Sequence, residues 1–311
     1  MDRFSTYEEN HCWQYDIRLK NLKEDLEFEG LLYEEVKDLR CEDFQLQHEP
    51  EAYKEIKAFI ERHEWLGKMS LYPTNFFTAR YKGILAGVVI MDMPTAFSKL
   101  LGDNIETSSL APFTIEELKI STEDTKVIAT RKLERLISRG ACISWSPKNL
   151  GSKLVMFSIK WMVKNTRFRL FTCYSDTEAK ELGTIYQACN FYYIGKKSGA
   201  EFQYKVNGKW TSDRSFRSRS MYKRIAKECN IPWDDTWQTG DRIHFNKMPE
   251  RVSLKLKRMS KYYQKCSEKR KIEPKHKYAY ILGNTVKETK YLRNLFESKN
   301  KILPYPKDRG Y

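Results

Sequence analysis

Residues 84–91, ILAGVVIM, contain no polar side chain. A run that short and that apolar suits a central strand covered on both faces, and it falls far below the roughly 18 apolar residues a membrane span needs. The chain must therefore supply packing layers on both sides of a sheet. NFFTARY precedes the run, and Lys82–Gly83 separates the two. This predicts a β-hairpin, because glycine tolerates the positive φ of a tight turn.

Around the hairpin the hydrophobic period switches between 2 and 3.6. Phe44 to Gln47 reads as a strand; after Pro50, Tyr53, Ile56, Phe59 and Ile60 form one helical stripe. RLISRGACISW and FRLFTCY read as strands, GSKLVMFSIKWMVKN and TEAKELGTIYQACN as helices, FYYIG and AEFQYKV as closing strands. The order from residue 44 is β-α-β-β-β-α-β-α-β-β, with a loose insertion at 94–132 after the third strand. An α/β domain over residues 44–206 is the expectation. Residues 1–43 precede it as a charged helical segment of no readable role, and residues 207–311 follow it as a basic extension.

Charge distinguishes the two parts. Residues 1–200 hold 28 Lys and Arg against 29 Asp and Glu, whereas residues 201–311 hold 28 against 12, so the whole excess of +15 sits in the last third. Such asymmetry is the footprint of a polyanion-binding surface. Seven cysteines, odd in number and without C-x-x-C spacing, argue against a disulfide framework or a zinc site. No metal is expected. The polar N-terminus, MDRFSTYEENHCWQYD, lacks the apolar stretch of a signal peptide, so the expectation is a cytoplasmic chain with no membrane partner.

Three segments could carry chemistry. The loop SPKNLGSKL opens a helix, where unpaired N–H groups and the helix dipole suit a phosphate. Asn149, Gly151 and Ser152 are small or tolerant of left-handed φ, and Lys148 adds charge; a plain N-cap explains the same residues. In GTIYQACN, Tyr186 lies on or beside the apolar stripe of Leu182, Ile185 and Cys189, as either a core tyrosine or a phenol able to protonate a leaving group. In CYSDTEA, Ser175 and Asp176 are either helix caps or reactive groups at a strand end.

SPKNLGSKLV, followed by a helix, and AKELGTIYQACNF resemble the pyrophosphate loop and the tyrosine-bearing helix end of the GNAT superfamily of N-acetyltransferases. Ser146 and Asn149 depart from the usual loop residues, and Asn190 stands where the family has glycine. Within that superfamily, LISRGACISWSPKNLGSKLVMFSIKWM and FTCYSDTEAKELGTIYQACNFYYIG look most like the phage Mom-type DNA modification proteins. KHKYAYILGNTVKETKYLRNLF is similar to the C-terminal end of some members. The resemblance implies a GNAT-like fold with a mixed, mostly antiparallel central sheet flanked by helices. It implies an acetyl-CoA-type donor held by Ser146, Lys148, Asn149, Leu150, Gly151 and Ser152. It further implies conversion of adenine N6 in double-stranded DNA to a carbamoylmethyl derivative, which shields bacteriophage DNA from restriction. Asp176 and Tyr186, with Ser175 second, are the catalytic candidates.

Two basic runs fit that substrate. SDRSFRSRSMYKRIAKECN supplies Arg217, Arg219, Lys223 and Arg224; residues 251–277 hold 11 Lys and Arg against two Glu, among them Lys255, Lys257, Arg258, Lys261, Lys269 and Arg270. A flipped adenine would need aromatic neighbours, for which Trp145, Tyr174 and Tyr192 are placed by position. Two other readings stay open: an ordinary GNAT enzyme acetylating a protein or small amine, and a non-enzymatic nucleic-acid-binding protein with the same fold. The oligomeric state is not legible.

Overall fold

The computed structural model describes residues 12–70, 73–94, 100, 104–105, 128–129, 133–197, 201–240 and 242–307. Strand β1 is Gln45–His48, and β2 (Pro73–Tyr81) and β3 (Ile84–Asp92) form the expected hairpin. Lys82 and Gly83 both have positive φ, 48° and 86°, the backbone of a two-residue turn whose twist matches the strands. Residues 85–92 of β3 are all buried, so both faces of this strand are covered. β4 (Asn104–Ile105) and β5 (Ile128–Ala129) pair as a short ladder, and most of the expected insertion at 94–132 lies outside the described residues.

β6 (Glu134–Cys142), β7 (Leu170–Ser175) and β8 (Tyr192–Lys196) continue the main sheet. Its seven strands run β1-β2-β3-β6-β7-β14-β8, where β14 is His276–Ile281. Every pair is antiparallel except β6 with β7. The expected class, a mixed and mostly antiparallel sheet flanked by helices, is the one observed. Helix α1 (Trp13–Glu29) and the short α2 (Tyr33–Val36) precede the sheet; α3 (Tyr53–His63) buries Ile56, Phe59 and Ile60, and α4 (Leu150–Asn165) buries Leu154, Val155, Ile159, Met162 and Val163. These side chains join the strands in one core.

Three expectations need correction. The helix expected over 177–190 is only α5 (Thr184–Ala188), because residues 176–181 close on themselves as a turn. The chain also divides elsewhere than at 206/207: one unit comprises residues 1–197 and 275–311, the other residues 198–274. Within the basic last third, HKYAYI carries a short apolar run, Tyr278 to Ile281. Tyr278, Ala279 and Ile281 are buried there, which makes β14 an interior strand. Helix α8 (Val286–Lys299) packs Leu292 and Phe296 against Ile194, Ala279 and Ile281.

The second unit has its own core, formed by Phe216, Met221, Tyr222, Ile225, Trp237, Met248 and Leu256. It contains β9 (Phe202–Val206), β10 (Lys209–Thr211), helix α6 (Arg219–Glu228), a β11–β12 ladder (Gln238–Thr239, Arg242–Ile243), helix α7 (Glu250–Cys266) and β13 (Lys269–Lys271). β9, expected to close the main sheet, instead sits between β10 and β13 in a three-stranded sheet.

Candidate active site

The single parallel pair sets the geometry. β6 and β7 pair only from Glu134↔Leu170 to Ile137↔Cys173. Beyond that point β6 continues to Cys142 beside β3, and β7 continues to Ser175 beside β14, so the two strands part company at their C-terminal ends. The carboxyl ends of diverging parallel strands are where open α/β sheets place ligands.

The loop leaving β6 is held from outside by α1. Arg18 Nη2 donates to Ser144 O (3.1 Å), Ser146 O (3.0 Å) and Ser146 Oγ (3.1 Å). The buried Asp25 carboxylate accepts from Ser144 Oγ at 2.7 Å while its other oxygen takes Arg62 Nε and Nη2 at 3.0 and 2.9 Å. Here the unread N-terminal segment acquires a role: it fixes the loop that leads into α4.

Beside that loop lies a pocket of about 640 Å³ lined by Arg40, Cys41, Glu42, Pro147, Lys148, Asn149, Ser152, Lys153, Met156, Ala188 and Cys189. Its size is that of a ligand site. Leu150 and Lys153 donate to Pro147 O and Asn149 O, and the first-turn amides of Gly151 and Ser152 have no acceptor inside the helix. Lys153 is paired with Glu42 at 2.8 Å, while Arg40 and Lys148 add positive charge. Of the six expected donor-binding residues, Lys148, Asn149 and Ser152 line the pocket. Ser146 and Leu150 are buried, and Gly151 lies under Ile185, whose Cδ1 would stand 3.0 Å from a Cβ there. Asn149 is not left-handed, with φ −97°, so the argument for it as a glycine substitute fails. Asn190, at φ 58°, is the left-handed residue. It ends α5 while Phe191 N donates back to Tyr186 O at 3.0 Å, turning the chain directly into β8.

Helix α5 brings Tyr186 to the point where β6 and β7 separate. Its ring packs on Phe191 (5.3 Å) and Tyr278 (5.6 Å), and its hydroxyl lies near the Cys173 thiol. Burial, with Cys173 and Glu181 nearby, holds this phenol well above its usual range. Tyr278, a residue of β14, fills the space between Ser175 and Tyr186. A Cβ at Gly183 (φ +70°) would fall 2.6 Å from the Tyr278 ring and 2.5 Å from Ser175 Oγ. Ser175 itself is buried, opposite His276 in the ladder.

Asp176 does cap the turn, accepting from Glu178 N at 3.0 Å, and it also pairs with Lys275 Nζ at 2.5 Å. Glu181, which sequence reasoning missed, accepts from Asp176 N at 3.1 Å. Burial pushes its carboxyl up to about 7, a value suited to moving protons near neutral pH. Nearby Glu64 is also raised by burial. Nothing in the sequence marked Lys275, because it reaches Asp176 only through β14. Of the aromatic candidates, Trp145 is buried between Phe44 and Tyr81 and Tyr192 packs on Phe296, so neither is a free platform; Tyr174 is half-buried under Lys277.

The expected DNA-binding cations all lie in the second unit and fall into three groups. Arg217 pairs with Asp213, Lys223 with Asp235 (3.3 Å) and Arg224 with Glu228 (3.4 Å), while Arg219 donates to Gly240 O. Lys257, Lys269 and Arg270 stack over Phe245, Phe202 and Trp210. Lys255, Arg258 and Lys261 are exposed on α7. Among the described residues no group of His, Cys, Asp and Glu could hold a metal ion, and no helix is long and apolar enough to cross a membrane.

The model of the Mom protein family matches residues 119–307 of this chain. Among solved structures, a mutant agmatine N-acetyltransferase in its apo form is similar at 9% identity and TM-score 0.26, over 67% of this chain and 76% of that one. The loading GNATL domain of CurA from Lyngbya majuscula is similar at 10% identity and TM-score 0.24, over 42% and 64%. No curated protein matches the sequence.

Proposed function

The chain belongs to the Mom protein family, and from that premise we propose that it modifies adenine in duplex DNA, transferring a group from an acetyl-CoA-type donor. The family match over more than half of the chain is the observation that carries this reading. The product the resemblance implies is N6-carbamoylmethyladenine, whose N6–CH2 bond and amide nitrogen are not those of acetyl transfer (which would give N6-acetyladenine and free coenzyme A). This product therefore requires a nitrogen-bearing co-reactant besides the thioester; its use would be protection of bacteriophage DNA from restriction in the host cytoplasm.

The pocket at the start of α4 suits a donor with a diphosphate. Lys148 and Arg40 would neutralise its charge, and the amide of Ser152 would donate a hydrogen bond to one of its oxygens. Such a donor supplies an activated acyl group. Asp176, Glu181 and Tyr186 are then the residues for proton work. Adenine N6 is a poor nucleophile, since its lone pair is delocalised into the ring, and a carboxylate near pKa 7 can accept its proton. Tyr186 keeps its proton at all ordinary pH and would act only as an acid or a hydrogen-bond donor.

Nucleoside mass spectrometry of DNA from cells expressing the chain tests the reading. Modified deoxyadenosine should appear with the wild type and vanish with Asp176→Asn, both proteins keeping the same melting temperature. Unmodified DNA from wild-type cells would overturn it. One observation favours a second reading, a nucleic-acid-binding protein that keeps only the fold: Tyr278 fills the space where a reactive group was expected. Calorimetry with acetyl-CoA separates the two, since a binding-only protein gives no heat.

A further inference from the structure

Residues 198–274 hold 19 Lys and Arg against 9 Asp and Glu, a net charge of +10. These cations are not equivalent. Lys205, Arg217, Lys223 and Arg224 each have a carboxylate partner within the unit. Lys257, Lys269 and Arg270 lie over aromatic rings.

Helix α7 differs. Its inner face is set by Ser253, Leu256 and Ser260, all buried, with Val252, Met259 and Tyr263 packed beside them. Ser260 Oγ donates to Phe216 O at 2.5 Å, so small hydroxyl residues let the helix approach the core closely and fix its rotation. That rotation turns Arg251, Lys255, Arg258, Tyr262 and Lys265 outward, and all five are exposed. Their spacing of i, i+4, i+7, i+11 and i+14 confines them to an arc of about 80° on a 3.6-residue helix, with Lys261 at its margin. The row is about 21 Å long at 1.5 Å per residue. No acidic side chain falls within it, and among the described residues none of the four cations in the row has a carboxylate partner.

We propose that this face of α7, through Arg251, Lys255, Arg258 and Lys265, is the surface that grips the phosphate backbone of duplex DNA. The proposal rests on the DNA-modification reading and adds which of the two basic runs does the binding. A solvated helix face normally intersperses both signs of charge. Four aligned cations without an acid repel one another, and a row of phosphates relieves that repulsion. A rigid straight row matches a duplex, whose phosphates are fixed. An unstacked single strand calls for a series of ring platforms, and the row presents one ring, Tyr262. Arg217, Lys223 and Arg224 would have to break ion pairs first, so they contribute little.

The test measures binding, not modification. The full chain is titrated with a labelled duplex of random sequence across a range of salt by fluorescence anisotropy. With four phosphate contacts, the change Arg251→Ala, Lys255→Ala, Arg258→Ala, Lys265→Ala should flatten the log–log salt slope by about 3.6 and weaken binding about tenfold or more at 0.1 M salt. Alanine keeps the helix, and an unchanged melting temperature verifies it. Lys223→Ala with Arg224→Ala should leave the slope unchanged. If the α7 variant keeps the wild-type slope, this inference falls and the DNA reading survives. If the wild type binds no duplex, both fall. Tighter wild-type binding to phosphatidylserine vesicles or to single-stranded DNA than to the duplex also overturns the proposal.

Discussion

In the unit formed by residues 1–197 and 275–311, Arg169 is fully buried, yet its guanidinium donates to Glu288 Oε1 at 2.5 Å and to the carbonyls of Val163, Thr166 and Phe168. Glu288 in turn accepts from Asn284 N and sits in the first turn of α8, capped by Thr285. In the unit of residues 198–274, Arg251, Lys255, Arg258 and Lys265 face water along α7 with no carboxylate beside them. The first kind of charge is fully satisfied from within, because an unpaired buried ion costs several kcal/mol. The second kind is left uncompensated, which folding alone does not require. Position in the charge balance thus separates cations that hold the fold from cations available to a ligand.

The sharpest way to break that contrast is Arg169→Met. It strands Glu288 as a buried, unpaired carboxylate, and we expect a loss of about 4 kcal/mol by urea unfolding. A loss below ~1 kcal/mol would mean the pair is not structural. The α7 substitutions, by contrast, should leave unfolding within ~0.5 kcal/mol of the wild type.

A smaller effect concerns Glu181, which belongs to neither class: it is half-buried, and its folded pKa is raised to about 7 from 4.5. The folded carboxyl keeps its proton where the unfolded one has lost it, so stability falls as pH rises through the window from 4.5 to about 7. Glu181→Gln removes that cost. The variant should be more stable than the wild type by about 1 kcal/mol near pH 8, after allowance for partial exposure, and equal to it below pH 4.5. A difference independent of pH would remove the raised carboxyl from the account. The smallest effect is Lys223→Ala, whose exposed pair with Asp235 is worth less than ~0.5 kcal/mol, measured by thermal melting.

How much of this could be read in advance differs by element. The 84–91 run predicted a strand buried on both faces, and the alternation of periods predicted the order of strands and helices from 44 to 196, because these patterns are local. The loop SPKNLGSKL pointed to the right place for a pocket, yet only three of its six candidates line it. Arg40 comes from the N-terminal segment and Cys189 from the end of α5, and no local pattern ties either to residue 148. Asp176 and Glu181 stand five residues apart, but the composition of the segment that joins them suits a helix, and only the backbone hydrogen bonds of the fold show it to be a turn.

By itself, the sequence determined the order of strands and helices from 44 to 196, the hairpin at Lys82–Gly83, the excess of positive charge in the last third and the likeness to Mom-type proteins. Only the tertiary structure decided that His276–Ile281 returns to lie between β7 and β8 and that its Tyr278 fills the space beside Ser175. It also decided which of the cations are already paired. The physical reason is that strand partnership and ion pairing are contacts between residues far apart in sequence, whereas hydrophobic period and turn chemistry act within a few residues of one another.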